Sequence, residues 1–293
     1  MDIQSLRIFK SVAEYGSISK AAKELNYAQS NITTRMQQLE NSLQTVLFYR
    51  HNKGVTLTAK GELLITYADK IFRLLDETKE VMRDQEEPQG PLSIGSMETT
   101  AAVHLPRFLS RYHSVYPQVD LNLKTGPTSQ HIEGVLNYKL DGAFVSGPLS
   151  HPDLITKKVF SEELVLVGNS LLSQSLKSHK VDNLTILVLH KGCFYREKLK
   201  HWLHEEGVIP SKVMEFGSLD ALIGCIAAGL GVTLLPLSIV QRNSYLEEVT
   251  HYPIPEKFSL VDTLFIYRTD ATFSAPLIKF VEMFQEDQSS IIS

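Results

Sequence analysis

The 293-residue sequence predicts an α/β protein with an N-terminal all-α winged helix-turn-helix, a long linker helix and a larger C-terminal domain. Three observations predict it. Apolar residues recur at helical spacing through the first sixty positions, a heptad-like apolar series follows, and beyond a Pro/Gly break at residues 88–91 short strand-like apolar stretches alternate with helical ones. Charge divides along the same line: residues 1–60 hold eight Lys/Arg against four Asp/Glu, while the whole chain carries −4. A basic head on an acidic body suits a nucleic-acid-binding module joined to something else.

Leu6, Phe9, Val12 and Ala13 give the first helix one apolar face, and Gly16 ends it because glycine accepts left-handed geometry. Ser19 is expected to cap a short second helix, with Ala21 and Ala22 permitting close approach, Leu25 anchoring the core and Asn26-Tyr27 turning the chain. A third helix is expected from Gln29 to Leu43, with Ile32, Met36, Leu39 and Leu43 inward. Its other face carries Gln29, Ser30, Thr33, Thr34 and Arg35 in place of the Glu/Lys pairs of a solvated helix. Gln and Arg match adenine and guanine edges, and Ser and Thr match phosphates. Such a pair of helices sets the second in the major groove. Leu47 to Leu57 reads as a wing of two short strands around a basic turn, which puts Arg50, His51 and Lys53 against phosphates or the minor groove, with Lys53 and Thr56 expected on the DNA backbone.

Thr58 caps a long helix to about Asp84, in which Leu64, Ala68, Ile71, Leu75, Thr78 and Met82 form a seam. At roughly 1.5 Å per residue it would be about 40 Å long, so it is expected to pair with its copy in a dimer. Residues 85–91 form the hinge. Strands are expected at Leu92–Ile94, Val119–Leu123, Gly142–Val145, Leu164–Val167, Thr185–Leu189, Val232–Leu235 and Leu264–Tyr267. Helices are expected around Leu105–Tyr112, Tyr195–Glu206, Ser218–Ala228 and Ala275–Gln285. The resulting domains are 1–58, the head; 59–90, linker and hinge; and 91–293, the α/β domain.

No apolar run is long enough for a membrane helix, and Met1-Asp2-Ile3-Gln4 lacks the basic start of a secretory leader, so the expected compartment is the cytoplasm. Two cysteines, Cys193 and Cys225, make no disulfide framework. No nucleophile elbow, phosphate-binding glycine loop or Ser/His/Asp arrangement is present, and no enzyme activity and no cofactor are expected. His201 and His204, with His190 nearby in sequence, form at most a partial metal site, so no metal is expected.

Leu6-Arg7-Ile8-Phe9, Gly16 to Ala22, Gln29 to Thr33, Leu39-Glu40, Leu47-Phe48 and Leu57 to Gly61 together resemble, in order and spacing, the DNA-binding signature of the LysR-type transcriptional regulators. Leu105-Pro106, Tyr116 to Val119, Leu140 to Ala143, Gly192-Cys193, Trp202-Leu203 and Ala227 to Pro236 are similar to that family's effector domain. Two departures stand out: Ala28 where the family has a capping Ser before the recognition helix, and Thr34 where it often has Arg. The resemblance implies a two-lobed, periplasmic-binding-protein-like domain with a non-covalent small-molecule effector between the lobes. Lobe I would cover about 91–163 plus 265–293, and lobe II about 164–264. It also implies a homodimer or homotetramer on an imperfect inverted repeat of double-stranded DNA in promoter regions, with RNA polymerase as a further partner.

Loops at the carboxyl ends of strands converge on such a cleft. The expected effector residues are Glu98, Thr99, Thr100, Thr128, Ser129, Ser146, Gly147 and Ser218. Glu98 would repel a carboxylate, so either it faces away or the ligand carries a cationic group. Two alternatives stay open: a redox or metal sensor, with Cys193 the more exposed thiol and Cys225 buried on an apolar helix, and a small-molecule-binding module that does not bind DNA.

Overall fold

The computed structural model describes residues 1–82, 87–168, 184–242, 249–271 and 274–291, and it divides into two compact units, Met1–Arg83 and Asp84–Ser293. Part of the expected hinge, residues 85 and 86, and the expected end of the linker helix at Asp84 lie outside the described residues.

In the first unit α1 (Ile3–Tyr15) begins at Asp2, whose carboxylate accepts the Ser5 N–H at 2.8 Å, and ends at Gly16 with φ 59°. Helix α2 (Ile18–Glu24) is capped by Ser17, which accepts the Lys20 N–H, so the expected cap at Ser19 is two residues too late. The reason is Ile18: it packs against the head core and is therefore already helical. Asn26, at φ 56°, turns the chain into α3 (Gln29–Ser42), whose N-cap Ala28 provides no side-chain hydrogen bond. Ile8, Phe9 and Val12 of α1, Ala21 and Ala22 of α2, and Ile32, Met36 and Leu39 of α3 close one core over Leu47, Phe48 and Val55.

The wing is an antiparallel pair, β1 (Phe48–His51) and β2 (Gly54–Leu57), with Phe48 opposite Leu57. It is pinned to the helices at one close approach: Val55 N–H donates to the Gly16 carbonyl at 2.9 Å, and a Cβ on Gly54 would overlap that same oxygen. Thr58 then caps α4 (Ala59–Val81), accepting the Gly61 N–H at 3.0 Å while donating to the Val46 carbonyl at 2.8 Å. The expected seam of α4 is split. Leu64 packs on the head core and Ala68 is fully buried, Lys10 reaches Asp69 at 2.6 Å, and the exposed apolar row consists of Leu63, Tyr67, Leu74 and Leu75, with Met82 just past the helix end.

In the second unit, sheet and helices alternate. Strands β3 (Gly90–Ser96), β4 (Val119–Thr125) and β5 (Gly142–Ser146) are interleaved with α5 (Glu98–Val103), α6 (Leu105–Val115) and α7 (Thr128–Leu136). The 15-residue β6 (Leu154–Gly168) follows. Next come β7 (Thr185–Leu189), α8 (Phe194–Glu205), β8 (Lys212–Phe216), α9 (Leu219–Ala227), β9 (Val232–Pro236) and α10 (Leu237–Arg242). The chain ends with β10 (Thr250–Pro253), α11 (Glu256–Ser259), β11 (Leu260–Arg268) and α12 (Ala275–Ile291).

Strand order among the described residues is β4-β3-β5-β11-β6-β9-β7-β8, with β10 on the other edge of β6. The register makes two lobes of it. Residues 154–163 of β6 pair with β11, whereas residues 164–168 pair with β9. Strand β11 starts at Leu260, before the expected return to lobe I at 265, because Leu260 and Val261 already lie opposite Glu163 and Glu162.

Each lobe is a sheet covered on both faces, and strand alternation assigns the faces. In lobe II, Leu164 and Leu166 face Tyr195, Leu199 and Leu203 of α8, while Val165 and Val167 face Leu222, Ile223 and Ile226 of α9. In lobe I, Phe144 and Phe265 pack with Phe108, Tyr112 and Phe280, and Ala143, Val145, Leu264 and Ile266 pack with Val135 and Leu140. At the junction of the lobes Glu162 is buried: its Oε1 meets His104 Nε2 at 2.9 Å and accepts the Ser238 hydroxyl at 2.7 Å.

Candidate functional site

The first unit presents a polar helical face beside a basic hairpin. Gln29, Ser30 and Thr34 of α3 are exposed, and Thr33 and Arg35 are half-exposed. The Thr33 hydroxyl donates back to the Gln29 carbonyl at 3.0 Å, which leaves its oxygen lone pairs outward. The Asp2 carboxyl is held below the usual range chiefly by the Ser5 N–H and hydroxyl, with a further contribution from the positive charge of Arg35. In the wing, His51, Lys53 and Thr56 are exposed, and Arg50 lies 3.6 Å from Glu40. Glu40 also accepts the Leu47 and Phe48 N–H groups, so it anchors the entry of the wing to α3.

In the second unit the loops after β3, β4, β5 and β7 converge on a narrow cleft, whose atom-free space of about 380 Å³, open solvent included, leaves about 30 Å³ in which a water-sized molecule can be centred. Its wall combines Met97, Glu98 and Thr99, Gly126, Pro127 and Thr128, and Ser146 from lobe I with Leu189, His190, Cys193, Phe194 and Tyr195 from lobe II. Four of the expected effector residues, Glu98, Thr99, Thr128 and Ser146, therefore meet in one place. Thr128 Oγ1 accepts the Ser146 N–H at 3.2 Å, the Ser146 hydroxyl contacts Met97 Sδ at 2.9 Å, and Thr99 Oγ1 lies 3.5 Å from the Tyr195 hydroxyl. Burial pushes the Tyr195 phenol up, so it stays protonated as a donor.

The other four do not line the cleft. Thr100 is fully buried, and its hydroxyl has no hydrogen-bond partner among the described residues. Ser218 is spent as the cap of α9, accepting the Ala221 N–H. Gly147 lies in a cis peptide with Pro148 and donates its N–H to the Asp262 carbonyl at 2.8 Å. Ser129 packs over Gly192, where φ is +86° and any Cβ would overlap the Ser129 hydroxyl.

Sequence reasoning missed Met97, Leu189, His190, Phe194 and Tyr195 as lining. Leu189 ends a strand and Tyr195 opens a helix, so both carry the apolar pattern of ordinary core. Cys193 and Cys225 are both half-buried, which corrects the expectation that Cys225 is buried. Burial pushes the Cys193 thiol up, opposing the thiolate that redox chemistry requires. His201 faces Glu205 on the surface, and the described residues contain no group of three metal-binding side chains.

Residues 3–62 match the bacterial regulatory helix-turn-helix proteins of the lysR family, and residues 85–289 match the LysR substrate binding domain. The chain belongs to the LysR-type transcriptional regulators. A LysR-type relative, the HTH-type transcriptional regulator GltR of Bacillus subtilis (strain 168), is 51% identical over 281 residues, 96% of this chain and 95% of that one. The HTH-type transcriptional regulator SoxR of Arthrobacter sp. (strain TE1826) is 45% identical over 282 residues, 96% of each chain. Among solved LysR-type structures, full-length CbnR complexed with its target DNA aligns with TM-score 0.70 at 25% identity over 98% of this chain and 99% of that one. Full-length OxyR from Pseudomonas aeruginosa aligns with TM-score 0.71 at 22% identity, covering 98% and 94%, and shows the fold alone. As a LysR-type regulator, this protein joins a DNA-binding head to an effector-binding domain, the two functions expected from its sequence.

Proposed function

We propose that this LysR-type regulator binds an imperfect inverted repeat as a homodimer or a pair of dimers. In this reading α3 sits in the major groove through Gln29, Ser30, Thr33, Thr34 and Arg35, and Arg50, Lys53 and Thr56 of the wing lie on the backbone. A small non-covalent effector held in the lobe cleft by Glu98, Thr99, Thr128 and Ser146 prefers one lobe arrangement, and that preference shifts the population presented to DNA and RNA polymerase. The protein works in the cytoplasm without cofactor, metal or enzymatic step.

The observation that carries this reading is the division of α3. Ile32, Met36 and Leu39 are buried, while the opposite face is exposed, hydrogen-bonding and supplied with Arg35, a side chain able to hold a guanine bidentately. The exposed apolar row of α4 supports pairing with a second copy.

The test is a footprint of the purified protein on DNA upstream of its own gene, across a salt series. Protection of an inverted repeat that is lost as salt rises is expected, since phosphate contacts release counterions. We predict that Arg35→Ala costs about 1 to 3 kcal/mol of affinity and relaxes preference at one base pair. Unchanged affinity and preference would remove Arg35 from the interface, and no protection even at low salt would sink the DNA reading.

A further inference from the structure

We propose that the cleft selects a small apolar ligand bearing a protonated amine, and that Glu98 is the residue that recognises it. The proposal rests on the cleft being the effector site and adds the chemistry of the ligand. Glu98 opens α5 on lobe I, and its Oε2 reaches across the cleft to accept the Leu219 N–H of lobe II at 2.9 Å, beside the Ser218 cap of α9. Its Oε1 lies 4.0 Å from His190 Nε2, beyond hydrogen-bonding distance, and that ring nitrogen is 3.1 Å from the Gly217 carbonyl. One carboxylate oxygen therefore keeps acceptor capacity on the cleft wall.

Apart from the Leu219 N–H and the His190 ring, the wall offers this carboxylate no counter-charge. No Lys or Arg is among the described lining residues, and the exposed lining is mainly apolar, with Met97, Pro127, Leu189, Phe194 and Tyr195 among its residues. Arg196, next in sequence to Tyr195, points its guanidinium at Glu215, 2.6 Å away. A simple carboxylate entering this space would meet a like charge between apolar walls that screen it poorly. An ammonium gains a charge-assisted hydrogen bond to Oε1, and the apolar lining takes up its hydrocarbon body. Because Glu98 already bridges the lobes, an amine bound to it joins that bridge, which gives the ligand a differential hold on the closed arrangement.

The experiment is calorimetric titration and thermal unfolding of the full-length protein with phenethylamine, isoamylamine, phenylalanine and leucine. Hydrocinnamate and isocaproate serve as matched skeletons lacking the nitrogen. The expected result is that at least one amine binds and raises the unfolding midpoint while its matched acid does neither. Glu98→Gln, whose amide oxygen can still accept from Leu219, should weaken that amine by about tenfold or more. Binding of the acids in preference, binding by no amine, or equal affinity in the Gln variant overturns the proposal. A second variant separates it from the reading beneath: His190→Trp fills the cleft mouth, so binding that survives there with an unchanged ligand-free midpoint would place the ligand elsewhere and overturn the cleft itself. Loss of acid binding in His190→Trp with no effect of Glu98→Gln would leave the cleft standing and remove only the amine.

Discussion

His131 is one of the few ionisable side chains buried in the second unit, at 2% exposure. It sits on α7 with Nε2 2.9 Å from the Ser96 carbonyl, immediately behind the cleft loop. Burial lowers its pKa, outweighing the hydrogen bonds that favour its charged form, so the folded chain keeps the ring neutral where the unfolded chain protonates it. As pH falls through the unfolded value of about 6.5, the unfolded state binds the extra proton and stability is lost; below the folded value the loss levels off. We predict that urea unfolding of the full-length protein shifts to lower denaturant between about pH 7.5 and pH 5.5, and that His131→Gln, which can still donate to Ser96, shows a smaller shift. An equal shift in both proteins would mean that other groups set the acid sensitivity. At this scale the sequence was legible where a residue acts through its own backbone neighbours. Thr58 and Gly16 were placed correctly as cap and helix end, and Ser19 was misplaced by two positions because either serine of Ser17-Ile18-Ser19 satisfies the capping pattern. Thr100 and Ser129 show what stays hidden: a hydroxyl in a turn looks the same in one dimension whether it lines a cleft or faces the core.

Strands with an apolar run or a clean alternation were readable, the edge strand β4 among them, and β8 and β10 were not. Strands β5, β7 and β9 are buried along most of their length and are mainly apolar, with Thr233 the polar interruption inside β9. The edge strand β8, Lys-Val-Met-Glu-Phe, is exposed over four of its five residues, and β10 is short and ends in Pro253, so neither carries an apolar period that would reveal it. Helix α4 was found as a whole, but its faces were not, since an apolar residue at heptad spacing does not say which partner it meets. Leu64 meets the head, and Leu63 and Leu74 stand 49% and 59% exposed. We predict that the double substitution Leu63→Glu, Leu74→Glu leaves the head folded and moves the sedimentation coefficient toward that of a monomer. A variant that sediments as the parent does would show that copies of this chain associate through another surface.

Over the whole α/β unit, continuity of chain matters more than any one contact. Strand β6 belongs to both sheets, and a lobe movement must be carried by the same 15-residue ribbon that holds β11 on one side of its midpoint and β9 on the other. Glu162, near that midpoint, joins His104 of lobe I to Ser238 of lobe II, so the junction is both covalent and hydrogen-bonded. The two-lobed architecture was legible because resemblance extended along the chain, whereas the apolar character of the cleft was not, being assembled from residues almost a hundred positions apart, such as Thr99 and Tyr195. Where the lobes close on each other, Ser129 rests on a position that has no side chain at all. A methyl group at Gly192 would meet the Ser129 hydroxyl between the jaws of the cleft, and with φ at +86° any side chain there is strained, so Ser129 must turn aside or the jaws must part. We predict that Gly192→Ala still protects its operator but gives the same footprint with and without the metabolite that alters the parent's; a footprint that still responds would mean the jaw closes without passing through that contact. A single carbon atom, far from any DNA, would then separate a protein that reports on its surroundings from one that only marks a place on the chromosome.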